Sequence, residues 1–410
     1  MERKFSEALD SLRGSATREI YSKLSRPGMI SLAGGSPAVD CIPMKQLEEI
    51  AEEIFSDFTL MGEGYRYAAT EGFVGLRERA LALAACLDVD TTGLDISDVI
   101  ITSGGSQSLD LTLKAFIGRG DTVLVENPTY LGFLQTANSY RANVVGVDAN
   151  DDGLDIEDLE KKMAKHEPKL LYVVPTFSNP TGKTYTVENR KAILALAEKY
   201  NVIILEDDPY SRLRFAGEAT PPIKFFDKDN AYVVYVSSFS KVIAPGVRLA
   251  FTIGPADIIR KMTIIKQGSD LSSSNISQLL IMRYLDKGYY FPVVEKSLPV
   301  YRERKTAMSE SIKKHMPDEF SATDPDGGLF VWGAFSAPID TSELFMEALE
   351  KNVAFIQGAA FYANGGADGR GLNTIRLNFS NENPATIDKA IKIIGDLSKE
   401  KVAAAKYLAS

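Results

Sequence analysis

Ser238 to Arg248, SFSKVIAPGVR, sets Lys241 next to Ser240, with Ser238 just before and Arg248 seven residues on. A lysine amine can condense with an aldehyde, while hydroxyls and a guanidinium hold a phosphate beside it. Pyridoxal phosphate carries both groups, and a Schiff-base lysine with a phosphate cradle is what a protein contributes to it. On this stretch alone, a solvated lysine after a strand accounts for the same residues. The rest of the chain has to decide between the two.

Histidine is nearly absent. Of two in 410 residues, His166 lies in the charged segment KKMAKHEPK and His315 near the end of the helical stretch KTAMSESIKKHMP. A His⁺ near a helix C-terminus is mildly favourable without any function. A histidine triad or a multi-histidine metal site is therefore not expected, and no metal is assigned. Acid–base work falls to another group, which a lysine bound to a cofactor can supply.

Bulk properties narrow the setting. The net charge is −9 and no basic run stands out, which argues against nucleic acid or an anionic membrane as partner. The start, MERKFSEALDSLRG, has no apolar signal core, and no apolar stretch is long enough to span a bilayer. Two cysteines, Cys41 and Cys86, make no disulfide framework and fit a reducing cytoplasm.

These residues must be positioned by alternating elements. Buried strands are predicted at 121–126, 169–174, 202–205 and 232–236, with a helix over 187–200 marked by Ile193, Leu194, Leu196 and Ala197. Alternation of this kind predicts an α/β domain with a largely parallel sheet, whose sites form at the carboxyl ends of the strands. The unusual polar residues fall at those ends: Pro128–Tyr130, Ser178–Gly182, Asp207–Tyr210 and Ser238–Lys241. Gly104-Gly105-Ser106 opens a further helix ending near Ile117, and backbone N–H groups at a helix start suit a phosphate. A long polar helix from about 288 to 316 leaves this domain. Strand-like 329–332 and 374–379 follow in a smaller α+β domain, which the first forty-odd residues are expected to join.

In order along the chain stand LAGGSP (32–37), YRYAATEG (65–72), TSGGSQS (102–108), ENPTYLG (126–132), FSNPTG (177–182), EDDPY (206–210), SSFSKVIAPGVR (237–248), GGLFVW (327–332) and IRLNFS (375–380). Together they resemble the fold-type I, class I aminotransferases over nearly the whole chain. REIYSKLSRPGMISLAGGSP is most similar to the subgroup of 2-aminoadipate, kynurenine and related broad-specificity aminotransferases. The resemblance implies the aspartate aminotransferase-like fold, with a large pyridoxal phosphate-binding domain at 46–290. Residues 1–45 and 291–410 would form the small domain, the N-terminal segment covering the substrate.

The same resemblance implies roles by position. Lys241 would carry the cofactor and move the proton during transfer, which needs a neutral amine held there by burial and the neighbouring cationic ring. Asp207, three residues before Tyr210, would keep the ring nitrogen protonated, while Asp208 is expected to be a solvated acidic turn. Asn179 and Tyr210 would bond the ring's phenolic oxygen, and Tyr130 would stack on the ring. Gly105, Ser106, Gln107, Ser238, Ser240 and Arg248 would hold the phosphate, with Tyr67 reaching it across a homodimer interface. Arg376 would anchor the substrate α-carboxylate beside Gly35 and Asn179, and Gly34 and Gly35 would let the N-terminal segment close. Arg18 matches a position where some relatives hold a distal carboxylate; a surface arginine on an amphipathic helix explains it equally.

Two positions depart from the pattern: Ser178 where glutamine is common, and Ser36 where a larger apolar residue is. Both are expected to alter the substrate pocket. The implied activity is amino-group transfer from an L-amino acid to a 2-oxo acid, 2-oxoglutarate by expectation, in ping-pong fashion. The implied donors are 2-aminoadipate, aromatic or branched amino acids. A lyase or decarboxylase of the same fold shares most of these residues. A cofactor-sensing regulator would need a DNA-binding module, for which the position of LAGGSP leaves no room.

Overall fold

The structure, a computed structural model, describes residues 28–409. Among them, seven strands form the central sheet: β1 (Val99–Thr102), β2 (Thr122–Asn127), β3 (Asn143–Asp148), β4 (Leu170–Val173), β5 (Ile203–Asp207), β6 (Val233–Ser238) and β7 (Ala250–Ile253). Across the sheet they run β1-β7-β6-β5-β4-β2-β3. Only β7 is antiparallel to its neighbours, so the other six strands point their carboxyl ends the same way. Residues of β1, β4 and β7 are all buried, as a sheet covered by helices on both faces requires.

The four strands expected from sequence are present within a residue or two. The helix Val187–Tyr200 has the predicted bounds because both ends carry caps. Thr186 accepts from the Asn189 N–H at its start, and Asn201 turns left-handed at its end. Strands β1, β3 and β7 were not predicted: β1 and β7 are four residues each, and β3 is an edge strand with mostly half-exposed residues.

The smaller sheet contains β8 (Phe320–Ala322), β9 (Phe330–Phe335), β10 (Ile356–Gln357) and β11 (Thr374–Asn378), in the antiparallel order β10-β11-β9-β8. The helix Tyr290–His315 runs out from the large sheet and packs along Pro384–Ala409. One apolar core joins both sheets, from Val125 and Val236 to Phe330, Leu377 and Ile391. No helix among the described residues is long and apolar enough to cross a membrane.

A strap from residue 30 to 40 crosses between the sheets. Ile30–Ser31 pairs in parallel with Val353–Ala354, and the Asn378 N–H donates to the Leu32 carbonyl at 2.8 Å. Further along, the Ala38 N–H donates to the Tyr301 hydroxyl at 3.1 Å, and Arg304 pairs with Asp40 at 2.6 Å. Residues 33–36 are thereby suspended over the carboxyl ends of the large sheet.

Candidate active site

A cavity of about 460 Å³ opens at those strand ends, beneath the strap. Lys241, just after β6, projects into it and donates from Nζ to the Gly35 carbonyl at 2.7 Å. Burial lowers this amine from its ordinary value to about 8, helped by the charges of Arg376 and Arg248 and opposed by Asp207. An amine so placed is neutral over an accessible pH range.

Asp207 ends β5 and lines the same cavity. The Tyr172 hydroxyl donates to its Oδ2 at 2.9 Å, yet burial still pushes the carboxyl up to about 7. The charge of Lys241 only partly offsets that burial, and a protonated ring nitrogen beside the carboxyl would favour its charged form. Asp208 faces elsewhere, as successive residues at a strand end must. It accepts from the Tyr235 hydroxyl at 2.8 Å and the Ser211 N–H at 3.1 Å. It is buried, not the solvated turn that sequence suggested.

Arg376 lies on β11 and is buried, because Phe330 and Phe361 cover its guanidinium with ring centroids 4.3 and 5.0 Å away. Its Nη1 donates to Asn179 Oδ1 at 2.8 Å, and its Nη2 to the Ala33 carbonyl at 2.5 Å. The arginine thus joins the turn after β4 to the strap. Tyr210, edge-on to Phe330 at 5.8 Å, has its hydroxyl pKa raised by burial first. Tyr130 lines the cavity beside Gly132, where an added Cβ would lie 2.5 Å from the tyrosine ring. Only glycine lets that ring fold back over its own helix start.

The opposite end of the cavity is built for an anion. The helix Gly105–Phe116 begins at Gly104 with no side-chain cap, leaving its first N–H groups directed outward. Gly104 has φ +93°, and a Cβ there would lie 2.5 Å from Arg248 Nη2. Ser106, Ser238, Ser240 and Arg248 complete this end. Arg248 is itself held at φ 49°, an uncommon region for a non-glycine residue. The donor set fits pyridoxal phosphate: an amine for its aldehyde, a carboxyl for its ring nitrogen, and a helix start with an arginine for its phosphate.

Two expected residues fall outside this cavity. Gln107 does not line it; its N–H bonds the Gly104 carbonyl at 3.0 Å, and its side chain is occupied by Ser103, Lys266 and Asp270. Tyr67 is 90% exposed and apart from it. Arg18 lies outside the described residues. Of the two departures from the family pattern, Ser36 lines the cavity, whereas Ser178 is buried with Oγ donating to Glu126 at 3.1 Å.

A family model, aminotransferase class I and II, matches residues 27–394. The chain belongs to that family. It is 36% identical over 408 residues to the aromatic-amino-acid aminotransferase 1 of Thermococcus litoralis, covering 98% of this chain and 95% of the relative. It is 34% identical to the 2-aminoadipate transaminase of Thermus thermophilus, with 95% of each covered. Among solved structures, the kynurenine aminotransferase of Pyrococcus horikoshii in complex with PMP is similar at a TM-score of 0.90 and 35% identity, covering 97% of each chain. This pyridoxal phosphate-dependent aminotransferase has the aspartate aminotransferase-like fold and belongs with the aromatic, 2-aminoadipate and kynurenine subgroup.

Sequence reasoning on the aminotransferase missed Tyr172 and Glu126. Each lies within a strand run that reads as plain core. Glu126 is fully buried, accepts from Tyr185, Ser178 and the Val174 N–H, and burial raises its carboxyl to about 8. A glutamate at the end of VLVEN was the available signal.

Proposed function

We propose that the enzyme moves an amino group from an L-amino acid to 2-oxoglutarate in two half-reactions of a ping-pong cycle. In the first the donor enters and its 2-oxo acid leaves; in the second 2-oxoglutarate enters and glutamate leaves. The donors are 2-aminoadipate, aromatic or branched amino acids, a range supported by the names of the relatives. The observation carrying this reading is that Lys241 and Arg376 share one cavity, an amine held near neutrality beside a buried guanidinium.

Pyridoxal phosphate, when bound, supplies the electron sink that makes the substrate Cα–H acidic. Arg376 then takes the α-carboxylate bidentately and aims the Cα–H at Lys241, while Asn179 steadies the arginine. Lys241 accepts the proton and returns it. Asp207 keeps the ring nitrogen charged, Tyr210 and Asn179 bond the phenolic oxygen, and Tyr130 covers the ring. Gly105, Ser106, Ser238, Ser240 and Arg248 hold the phosphate. Gly35 on the strap closes over the substrate, releasing Lys241 from its carbonyl.

The working form is a homodimer with Tyr67 reaching the partner's phosphate. In support, Val39, Met44, Phe55, Phe58, Tyr65 and Tyr67 are all exposed within one short stretch, Phe58 at 94%. A division at 46–290 against 1–45 and 291–410 is supported by a seven-stranded sheet within 99–253, a four-stranded sheet within 320–378, and the pairing of Ile30–Ser31 with Val353–Ala354. A cytoplasmic setting is supported by the free cysteines Cys41 and Cys86.

The test is the near-visible absorbance of the protein loaded with pyridoxal phosphate, before and after L-glutamate. Loss of the long-wavelength band with release of 2-oxoglutarate supports the cycle. A band that neither glutamate nor 2-aminoadipate nor aromatic donors disturb, or release of CO₂ in its place, refutes it.

A further inference from the structure

Gln107 belongs to a closed polar cluster behind the phosphate end of the cavity. Lys266, near the end of the helix Ala256–Gln267, has a side chain with no exposed surface. Its Nζ lies 2.9 Å from Gln107 Oε1 and 2.7 and 2.8 Å from the two oxygens of Asp270. Gln107 Oε1 also accepts from the Ser103 N–H at 2.8 Å. Two donors need that acceptor, so the amide orientation is fixed and Nε2 turns to Asp270 Oδ2 at 2.8 Å. Ser103 Oγ closes the ring by donating to the same Oδ2 at 2.7 Å, and it lies 3.1 Å from Ser273 Oγ.

Neither Lys266 nor Asp270 lines the cavity. A buried lysine is tolerated only when paired, and such a pair is a weak source of net stability. What this pair does hold is Ser103 and Gln107, the two residues flanking the Gly104–Ser106 turn. Arg248 Nη2 sits 3.4 Å from the Ser103 carbonyl on the same turn. The loop continues to Asn275, which donates to the carbonyls of Glu63 at 3.0 Å and Arg66 at 2.6 Å, next to Tyr67.

We propose that Asp270 and Lys266 are positioning residues for the cofactor phosphate, fixing through Ser103 and Gln107 the turn whose N–H groups receive it. The proposal rests on the phosphate lying at Gly105, Ser106 and Arg248. A loosened turn lowers affinity for the phosphate and leaves the amine and carboxyl end of the cavity unchanged. The predicted signature is therefore selective for the phosphate and distinct from a general loss of structure.

The experiment titrates the full-length apoenzyme with pyridoxal 5′-phosphate and, separately, with pyridoxal, following near-visible absorbance. Asp270→Asn is expected to weaken pyridoxal 5′-phosphate about tenfold, the effect of losing a charge-assisted hydrogen bond. Ser103→Ala is expected to weaken it less, and pyridoxal is expected to bind as in the wild type in both. Equal weakening of both ligands, or unchanged affinity for both, overturns the proposal. If Asp270→Asn does not fold, Ser103→Ala alone decides: a phosphate-selective loss supports the proposal and its absence overturns it. Arg248→Ala serves as control, because without a phosphate-selective loss there, the phosphate lies elsewhere and the proposal falls with that placement.

Discussion

Tyr172 hands its hydroxyl proton toward Asp207 Oδ2 across 2.9 Å, from a ring stacked on Phe133 at 3.8 Å between centroids. The two belong to strands that are consecutive in chain order and adjacent in the sheet, β4 and β5. The stacking fixes the tyrosine, and the tyrosine fixes the carboxyl. Tyr172→Phe keeps the stacking and removes the donor. Cofactor affinity is expected to fall about tenfold, since a hydrogen bond to a charged group is worth about 1.5–3 kcal/mol. Titration of the apoenzyme with pyridoxal 5′-phosphate checks this, and affinity equal to wild type would dismiss the role.

Burial moves Asp207 from 3.8 up to about 7, so the folded apoenzyme keeps a proton that the unfolded chain has released. Between those values the folded state binds more protons. The contribution is fully present below 3.8 and is lost as pH rises through about 7. Glu126 and Glu206, raised to about 8 and about 7, act in the same direction. The urea midpoint of the apoenzyme is therefore expected to fall from pH 5 to pH 8, and to fall less in Asp207→Asn. Parallel curves for the two proteins would contradict this.

Lys241 reacts only when neutral, and its amine is held at about 8. The rate at which the long-wavelength band develops on mixing apoenzyme with cofactor is expected to rise with pH through about 8. Arg376→Gln removes a neighbouring cation, so the midpoint is expected to shift upward. Stopped-flow absorbance across pH measures both, and a midpoint unmoved by the substitution would show that the two side chains are not coupled.

Gly132→Ala places a methyl about where the Tyr130 ring now lies, 2.5 Å from Cζ. The ring must swing out. Overpacking of this kind costs about 1–3 kcal/mol, and cofactor affinity is expected to drop roughly tenfold. Combining it with Tyr130→Ala is expected to add little, because both remove the same contact. Full additivity in titrations of the two single variants and the double variant would argue against the contact.

Ser178→Ala removes a donor from the buried Glu126 carboxyl without touching the cavity. A loss of about 1 kcal/mol is expected in urea denaturation, with the relative kcat/KM for different donors unchanged. Ser36→Leu, which adds bulk to the cavity lining, is expected to change those ratios instead. Donor ratios altered by Ser178→Ala would reverse this assignment.

Four of the seven large-sheet strands were legible because parallel strands covered on both faces are short, continuous runs of Val, Ile and Leu. That Lys241, Asp207 and Arg248 gather at one cavity was legible because the residues fall at strand ends and match the positions of the family motifs. Tyr172 and Glu126 were not, since their strands look apolar and their partners are 35 and 59 residues away. Gln107 was assigned to the phosphate by its place after Gly105-Ser106, but its side chain is held by a loop 163 residues downstream.

Local pattern therefore determined the α/β class, the strand-end location of the cavity and the family resemblance. The tertiary structure alone decided that Asp208 is buried and bonded to Tyr235 instead of solvated, that Arg376 is buried between Phe330 and Phe361, and that Ser178 and Gln107 face away from the cavity. The reason is physical. Strand and helix signals repeat within a few residues, whereas burial, pKa and hydrogen-bond partnership depend on contacts between segments hundreds of residues apart, such as the 197 that separate Asn179 from Arg376.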